Sequence, residues 1–157
     1  MHIATNSEID ISLEVKTAEL AKNFSKVLKK GDVVFFYGEI GVGKTTFIRH
    51  LINCFQVNNF LNPTEVTSPT FNLLNEYDIG IFTILHYDLY RLNKSDDLKN
   101  IGLLENQKET LTLIEWPEKI DNKIENIISL FFKYGENMDK RFLSIKGLSN
   151  DMLNEIC

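Results

Sequence analysis

Eight consecutive residues carry the strongest chemical signal in the sequence. Residues 38–45 have the sequence GEIGVGKT, which matches the pattern GxxxxGK[ST]. Glycines let such a loop curl so that successive backbone N–H groups point at phosphate oxygens, and the helix that follows adds its unpaired N–H groups. Lys44 would reach the β- and γ-phosphates, and the Thr45 hydroxyl would ligate magnesium. The loop therefore predicts a site for a magnesium–triphosphate.

A magnesium-bound triphosphate also needs an acidic group on a neighbouring strand, and there are two candidates. Glu115 follows the apolar run Thr110–Ile114, and Asp88 follows the apolar run Ile81–Tyr87. Ligands of open α/β sheets sit at the C-terminal ends of the strands, so either carboxylate is placed to hold magnesium or to position water. The ordinary alternatives are a surface glutamate and a helix-capping aspartate.

A histidine and three hydroxyl side chains lie near these candidates in the sequence. His86 would share the strand face of Asp88, which suits either a metal site or a hydrogen-bonded structural histidine, and the second is favoured. The segment VTSPTF (residues 66–71) is either a nucleotide-sensing switch or an ordinary turn, and its chemistry alone favours the turn. Its hydroxyl residues are Thr67, Ser68 and Thr70.

The elements around the loop follow an α/β pattern. Val33–Tyr37 is wholly apolar and aromatic, which is typical of a strand buried on both faces, and Lys44–Phe55 is predicted to be a helix. Ile9–Lys16 alternates as a half-buried strand does. Thr17 is placed to cap a helix over Ala18–Lys29, where apolar residues recur at helical spacing.

The rest of the chain continues this alternation. We expect a hairpin, a helix, two late strands and a terminal helix, at Phe71–Tyr77 with Ile81–Tyr87, Asp96–Leu104, Ile127–Tyr134, Arg141–Ile145 and Asn150–Ile156. The predicted fold is a single P-loop NTPase-like domain over residues 1–157. Its class is α/β, a three-layer sandwich with a central mixed sheet and antiparallel edge strands.

Composition narrows the partners and the location. A net charge of −5 argues against a surface that grips nucleic acid non-specifically, so we expect no DNA partner and only indirect contact with RNA. No apolar run reaches the roughly 18–20 residues of a membrane span, and Met1–Asp10 is too polar for a secretory signal. Cys54 and Cys157 form no metal or redox pattern. We expect a cytoplasmic protein without a membrane partner.

Four segments, in this order and at this spacing, resemble one family. They are GEIGVGKTT (38–46), VTSPTF (66–71), HYDLYR (86–91) and IEWPE (114–118). Over about residues 14–118 the chain is similar to the TsaE (YjeE) family, small ATPases of bacterial tRNA threonylcarbamoyladenosine synthesis. The resemblance implies a weak, magnesium-dependent ATPase that works with the TsaB and TsaD proteins. That pair modifies the adenosine beside the anticodon in tRNAs reading codons that start with A.

The resemblance also implies roles for individual residues. Magnesium falls to Thr45 and Glu115. Nucleotide contacts fall on Thr17 and, more loosely, on Arg141, while VTSPTF becomes a switch-like loop and Trp116 packs against the site or faces a partner. The catalytic candidates are Asp88, Glu115 and Lys44. The phosphate loop of the family covers Gly38, Glu39, Gly41, Val42, Gly43, Lys44, Thr45 and Thr46.

Two other functions are compatible with the same loop. A P-loop small-molecule kinase would need an acceptor pocket and usually an arginine-rich lid, and no such segment is evident. A non-catalytic nucleotide-gated binding module would use the bound triphosphate without needing its hydrolysis. The choice of ATP over GTP rests on the resemblance alone. No cis arginine finger is evident, since nothing in the sequence aims Arg91 at the phosphates.

Overall fold

In the computed structural model of the chain, residues 8–93 and 96–157 are described. Within them, seven strands form one sheet and four helices accompany it. The strands are β1 (Ile9–Asp10), β2 (Val33–Tyr37), β3 (Leu74–Asp78), β4 (Thr83–Asp88), β5 (Thr110–Glu115), β6 (Ile127–Tyr134) and β7 (Arg141–Lys146). The helices are α1 (Glu14–Val27), α2 (Lys44–Asn58), α3 (Asp96–Asn100) and α4 (Asn150–Ile156).

The sheet has a parallel centre and antiparallel edges. Its strand order is β1-β7-β6-β2-β5-β4-β3. Strands β6, β2, β5 and β4 run parallel, whereas β3, β7 and β1 pair antiparallel with their neighbours. The carboxyl ends of β2, β5 and β4 therefore meet at one edge, where ligands of open α/β sheets bind. The predicted α/β class, with a mixed sheet and antiparallel edge strands, is confirmed.

Strand β2 is covered on both faces, as its apolar run predicts. Val34 and Phe36 pack in the cluster beneath α1, α2 and α4, while Val33 and Phe35 pack in the second cluster, which includes Leu98 of α3. Side chains alternate between the two faces of a strand, so a strand without polar residues must be covered on both faces. This fixes the start of α2, because the loop after β2 leaves from the centre of the sheet.

The N-terminal segment departs from its prediction. Only Ile9–Asp10 is a strand, and α1 begins at Glu14, with Leu13 at its cap and no capping side chain. Thr17 therefore does not cap a helix; it lies inside α1, buried, on the face that packs against the core. The alternating pattern was misleading because β1 pairs with β7 over two residues only, and beyond them Leu13 is exposed.

The other element predictions hold with shifted bounds. The hairpin forms, but β3 begins at Leu74, because Leu73 turns the chain in a left-handed conformation at φ 65°. Helix α3 ends at Asn100, well before the predicted Leu104, and Gly102 follows with φ 67°. Strands β6 and β7 and helix α4 lie where they were predicted. Among the described residues, no helix combines the length and the apolarity needed to cross a bilayer.

Two glycines with nearly equal φ offer a matched test of the packing around β7. Gly147, after β7, has φ 93°, and a Cβ there would lie 2.2 Å from the Ile127 carbonyl oxygen. Gly80, in the hairpin turn, has φ 90°, and no described atom lies within 4 Å of its Cβ position. We expect Gly147→Ala to lower the free energy of unfolding by about 2–5 kcal/mol and Gly80→Ala by about 1–2 kcal/mol. Urea denaturation measures both, and equal losses would contradict the contact.

Candidate functional site

The loop after β2 has the shape that its glycines predict. Residues 38–43 join β2 to α2, and Gly38, Gly41 and Gly43 have φ of 146°, 81° and 116°. At Gly38 a Cβ would lie 2.8 Å from the Phe132 carbonyl oxygen on β6, so the loop needs glycine there for space as well. Helix α2 is fifteen residues long, and its first turn follows the loop directly. Its free N–H groups and positive dipole end make the loop a ready anion site.

Lys44 is buried, and its ammonium has only weak partners. Its side chain is 5% exposed, its ammonium donates to the Gly38 carbonyl oxygen, and Nζ lies 4.0 Å from the centroid of the Trp116 ring. Burial lowers the pKa of Lys44, and nearby carboxylates, Glu115 foremost, oppose that shift. A phosphate oxygen would be a stronger partner than a carbonyl, so the ammonium is ready to bind an anion.

Glu115 lies at the centre of the site and is held from two sides. Thr45 Oγ1 donates to its Oε1 over 3.0 Å, and His86 Nε2 lies 2.7 Å from its Oε2. Both Glu115 and His86 are almost wholly buried. His86 thus has the hydrogen bond expected of a structural histidine, and its partner is Glu115.

The oxygens near the loop suit magnesium. A hydroxyl and a carboxylate are hard donors, and Thr45 and Glu115 present them together at the end of the loop. No group of three or more His, Cys, Asp or Glu that could hold a metal occurs in residues 8–93 and 96–157. Magnesium typically keeps waters and substrate phosphates in its shell, so two protein donors fit this ion. The residues present therefore fit the predicted ion, whose binding stays a prediction.

Asp88 ends β4 directly beside Glu115 on β5, as the strand register requires. Ser68 Oγ donates to its Oδ2 over 2.6 Å, and Thr70 Oγ1 lies 3.5 Å from the same oxygen and 3.1 Å from Ser68 Oγ. The Tyr90 backbone N–H donates to Oδ1 over 3.0 Å. The VTSPTF segment is therefore more than an ordinary turn, because it carries two hydroxyls to the second candidate carboxylate.

Two cavities flank the loop. The first, of about 300 Å³, is lined by the magnesium and catalytic candidates Lys44, Thr45, Asp88 and Glu115. The second, of about 280 Å³, is lined by Thr17 and Arg141. Gly43 and Thr46 line both cavities. The first cavity thus brings together the magnesium and catalytic candidates, and the second holds Thr17 and Arg141. Of the predicted loop residues, Val42 lines the second cavity, and Gly38 and Glu39 line neither.

Some residues lie apart from their predicted surroundings, and others were not predicted. Glu39 is exposed, and its carbonyl oxygen accepts from the Val42 N–H over 3.3 Å, so it serves the loop through its backbone. Arg91 lies over the Phe71 ring, 4.2 Å from its centroid, and does not line the first cavity.

Tyr90 was missed. It lines the first cavity, and its ring centroid lies 4.9 Å from that of Trp116. Its position two residues after Asp88, within the HYDLYR segment, was the signal for it.

Two positions were predicted for Trp116, packed against the site or facing a partner. It follows Glu115 in a left-handed conformation, φ 60° and ψ 49°, which turns its ring back over Lys44. The ring therefore packs against the site. Non-glycine residues in this conformation are uncommon and concentrate at functional positions.

A buried parallel strand, a glycine-rich loop and a helix at the carboxyl edge of a mixed sheet define a P-loop NTPase fold. The crystal structure of Bacillus subtilis YdiB has the same architecture, with a TM-score of 0.71 over 99% of this chain and 97% of that chain at 22% identity. The chain belongs to the TsaE family. The model of that family, described as threonylcarbamoyl adenosine biosynthesis protein TsaE, matches residues 11–142.

Curated relatives agree with the family model. The tRNA threonylcarbamoyladenosine biosynthesis protein TsaE of Rickettsia bellii is 40% identical over 141 residues, which cover 89% of this chain and 94% of that protein. The protein of the same name from Rickettsia conorii is 43% identical over 110 residues, which cover 70% of this chain and 61% of its own length.

Proposed function

We propose that this chain is a single-domain, magnesium-dependent ATPase that supports the TsaB–TsaD complex. That complex forms threonylcarbamoyladenosine next to the anticodon of tRNAs reading codons that start with A. One observation carries the proposal: Lys44, Thr45, Asp88 and Glu115 line a single cavity at the end of the phosphate loop. Family membership supports the role in tRNA modification, and the residues that line the cavity support the binding of a magnesium–triphosphate.

The chain's own groups would divide the work of binding and hydrolysis. Loop N–H groups and the Lys44 ammonium bind the phosphates, while Thr45 and Glu115 hold the ion. Magnesium, when bound, neutralises charge on the β- and γ-phosphate oxygens. Because Glu115 is assigned to the ion, Asp88, the other carboxylate that lines the first cavity, is the candidate to orient the attacking water. Ser68 supports it from the switch-like loop.

The second cavity suits the rest of the nucleotide. Because Gly43 and Thr46 line both cavities, phosphates in the first would leave the sugar and base on the side of Thr17 and Arg141. The Arg141 guanidinium carbon lies 5.7 Å from the centroid of the Tyr134 ring, next to the loop. The choice of ATP over GTP rests on the family, because no side chain in this cavity is specific to adenine.

An incomplete catalytic set is consistent with a partner. No arginine lines the first cavity within the described residues, and Arg91 is engaged with Phe71. Electrostatic stabilisation of the transferring phosphoryl group is then weaker than in NTPases with an arginine finger. TsaB and TsaD are the proposed protein partners. tRNA would be reached only through them, because a net charge of −5 disfavours direct grip on RNA. This role fits the cytoplasm, and no DNA or membrane partner is proposed.

The small-molecule kinase gains no support from the site. A kinase needs room for an acceptor in line with the γ-phosphate, usually under an arginine-bearing lid. The roughly 300 Å³ of the first cavity must already hold phosphate, ion and water, and no arginine from residues 8–93 or 96–157 lines it. The binding module shares every residue of the ATPase and differs only in whether turnover matters.

Partner dependence is the test of the proposed function. ATP hydrolysis is expected to rise at least about tenfold when TsaB, TsaD and tRNA are added together, since completing a phosphoryl-transfer site is worth that and more. Phosphate release is measured with the chain alone, with the partners alone and with all components. The Lys44→Ala variant with the same partners reports contaminating hydrolysis. A rate indifferent to the partners would argue strongly against the assignment.

A further inference from the structure

His86 is the buried titratable side chain of the site that the proposed mechanism leaves without a task. It lies inside β4 with 0% of its surface exposed, two residues before Asp88 and on the same face of the strand. Its Nε2 lies 2.7 Å from Glu115 Oε2 across the β4–β5 pair. Its Nδ1 is buried and, within the described residues, has no hydrogen-bond partner.

This pattern of bonds separates the histidine from an ordinary core residue. An ionised carboxylate only accepts hydrogen bonds, so the tautomer that fits Glu115 has its N–H at Nε2, which donates the hydrogen bond. Nδ1 then bears a buried lone pair without a donor, which costs stability. A leucine would fill the same space without that cost. What the histidine adds at this position is therefore the bond to Glu115.

Glu115 needs such a bond when an ion is present. Thr45 donates to Oε1 of Glu115, and His86 contacts Oε2. If the Thr45 oxygen turned to bind magnesium, the His86 N–H would remain as the described protein contact that orients the Glu115 carboxylate. Partners of this kind orient a metal-binding carboxylate and tune its affinity.

We infer that His86 is a positioning residue that orients the Glu115 carboxylate for magnesium. The inference rests on the proposed function, because it assumes that Glu115 holds the ion. His86 would orient one carboxylate and would not touch the reacting atoms. Its substitution should therefore weaken magnesium binding directly and change turnover only as a consequence.

Three substitutions isolate the Nε2 contact. His86→Leu removes it and keeps the volume. His86→Gln carries an amide N–H far enough along the side chain to replace Nε2, whereas the shorter His86→Asn does not reach. Thr112→Val is the matched control, because Thr112 is equally buried in β5 but bonds to Thr110 and not to Glu115.

The measurement is calorimetric binding of a non-hydrolysable ATP analogue at a series of free magnesium concentrations, with an arm in EDTA. For His86→Leu and His86→Asn, we expect the magnesium midpoint to rise about 10- to 100-fold while affinity in EDTA stays unchanged. His86→Gln should bring the magnesium midpoint most of the way back to the wild-type value, and Thr112→Val should leave the midpoint unchanged. Thermal unfolding of each variant shows whether it is folded, and the Gln–Asn pair keeps the test valid if His86→Leu is not.

The outcomes separate the inference from the function beneath it. If wild-type binding ignores magnesium, the proposed function fails and takes the inference with it. If wild-type binding responds but His86→Asn and His86→Leu keep its midpoint, only the role of His86 is overturned. Loss of affinity in EDTA equal to the loss in magnesium would make His86 a structural residue of the pocket and would also overturn it.

Discussion

Asp88→Ala is expected to leave ATP binding intact and to lower the rate of hydrolysis by about 10²–10⁴-fold. The carboxylate ends β4 in the first cavity, where Ser68 and Thr70 surround its Oδ2. It reaches no loop N–H that binds phosphate, so its loss should spare affinity. A positioned carboxylate that orients or deprotonates water typically contributes a factor of this size. Single-turnover hydrolysis and calorimetric ATP binding are the paired measurements.

Asp88→Asn is the matched variant for this prediction. Its amide oxygen can still accept the Tyr90 N–H that Oδ1 accepts in the native chain, so the end of β4 keeps its shape. The amide cannot take a proton from water, and we expect a loss in rate close to that of alanine. Unchanged hydrolysis in both variants would remove Asp88 from the mechanism and return water positioning to Glu115.

The same variant separates an ATPase from a nucleotide-gated binding module. If turnover is required, Asp88→Ala will not support threonylcarbamoyladenosine formation in cells that lack the native gene. If binding suffices, the modification will persist at wild-type level, because the nucleotide is still held. Mass-spectrometric analysis of the modified tRNA nucleosides decides between them.

Lys44→Ala is expected to abolish measurable triphosphate binding. The ammonium lines the first cavity beside the loop, and deleting one partner of a buried charge pair costs about 2–5 kcal/mol. The same side chain costs stability in the folded protein, since it is buried against the Trp116 ring and, among the described residues, its ammonium donates to the Gly38 carbonyl oxygen. Lys44→Met, which keeps the stem without the charge, should therefore raise the stability of the nucleotide-free protein by about 1 kcal/mol, or about 2–4 °C.

The pH dependence of that gain has a definite sign. Burial lowers the pKa of Lys44 from its ordinary value of 10.5, so the folded state holds its proton less tightly than the unfolded chain does. The penalty is largest below the folded pKa and is relieved as the pH rises from there toward 10.5. The advantage of Lys44→Met should therefore be largest at neutral pH and shrink at alkaline pH. Exposed Lys22→Met, the control, should show neither effect. A gain independent of pH would mean that the charge is not its cause.

The parts of the site that were predictable are local in the chain. The phosphate loop lies within eight residues and needs only the strand before it and the helix after it. Glu115 and Asp88 were predictable because each directly follows an apolar strand. The P-loop class followed from the same local patterns, since a run as apolar as Val33–Tyr37 has few places to go other than the centre of a sheet.

The parts that were not predictable depend on which strands are neighbours. The bond of Ser68 to Asp88 spans 20 residues, and that of His86 to Glu115 spans 29. No periodicity indicates that β4 lies beside β5 or that residues 66–71 return to its end. Thr17 was taken for a cap because the alternation at Ile9–Lys16 outweighed the helical spacing that in fact begins earlier, at Glu14. Local pattern identified the chemical groups, and topology decided which of them meet.

Strand β6 packs behind the phosphate loop, so the shape of the loop depends on residues far from it in the chain. Phe132 limits the space at Gly38, and the Tyr134 hydroxyl lies 3.3 Å from where a Cβ on Gly41 would sit. Both come from the C-terminal third of the chain, beyond the four segments that carry the family resemblance. A fragment that ended before Ile127 would retain every residue of the motif and lose the wall that bends it. We therefore expect triphosphate affinity to depend on the sheet as a whole, so that substitutions in β6 lower it although they lie outside the phosphate loop.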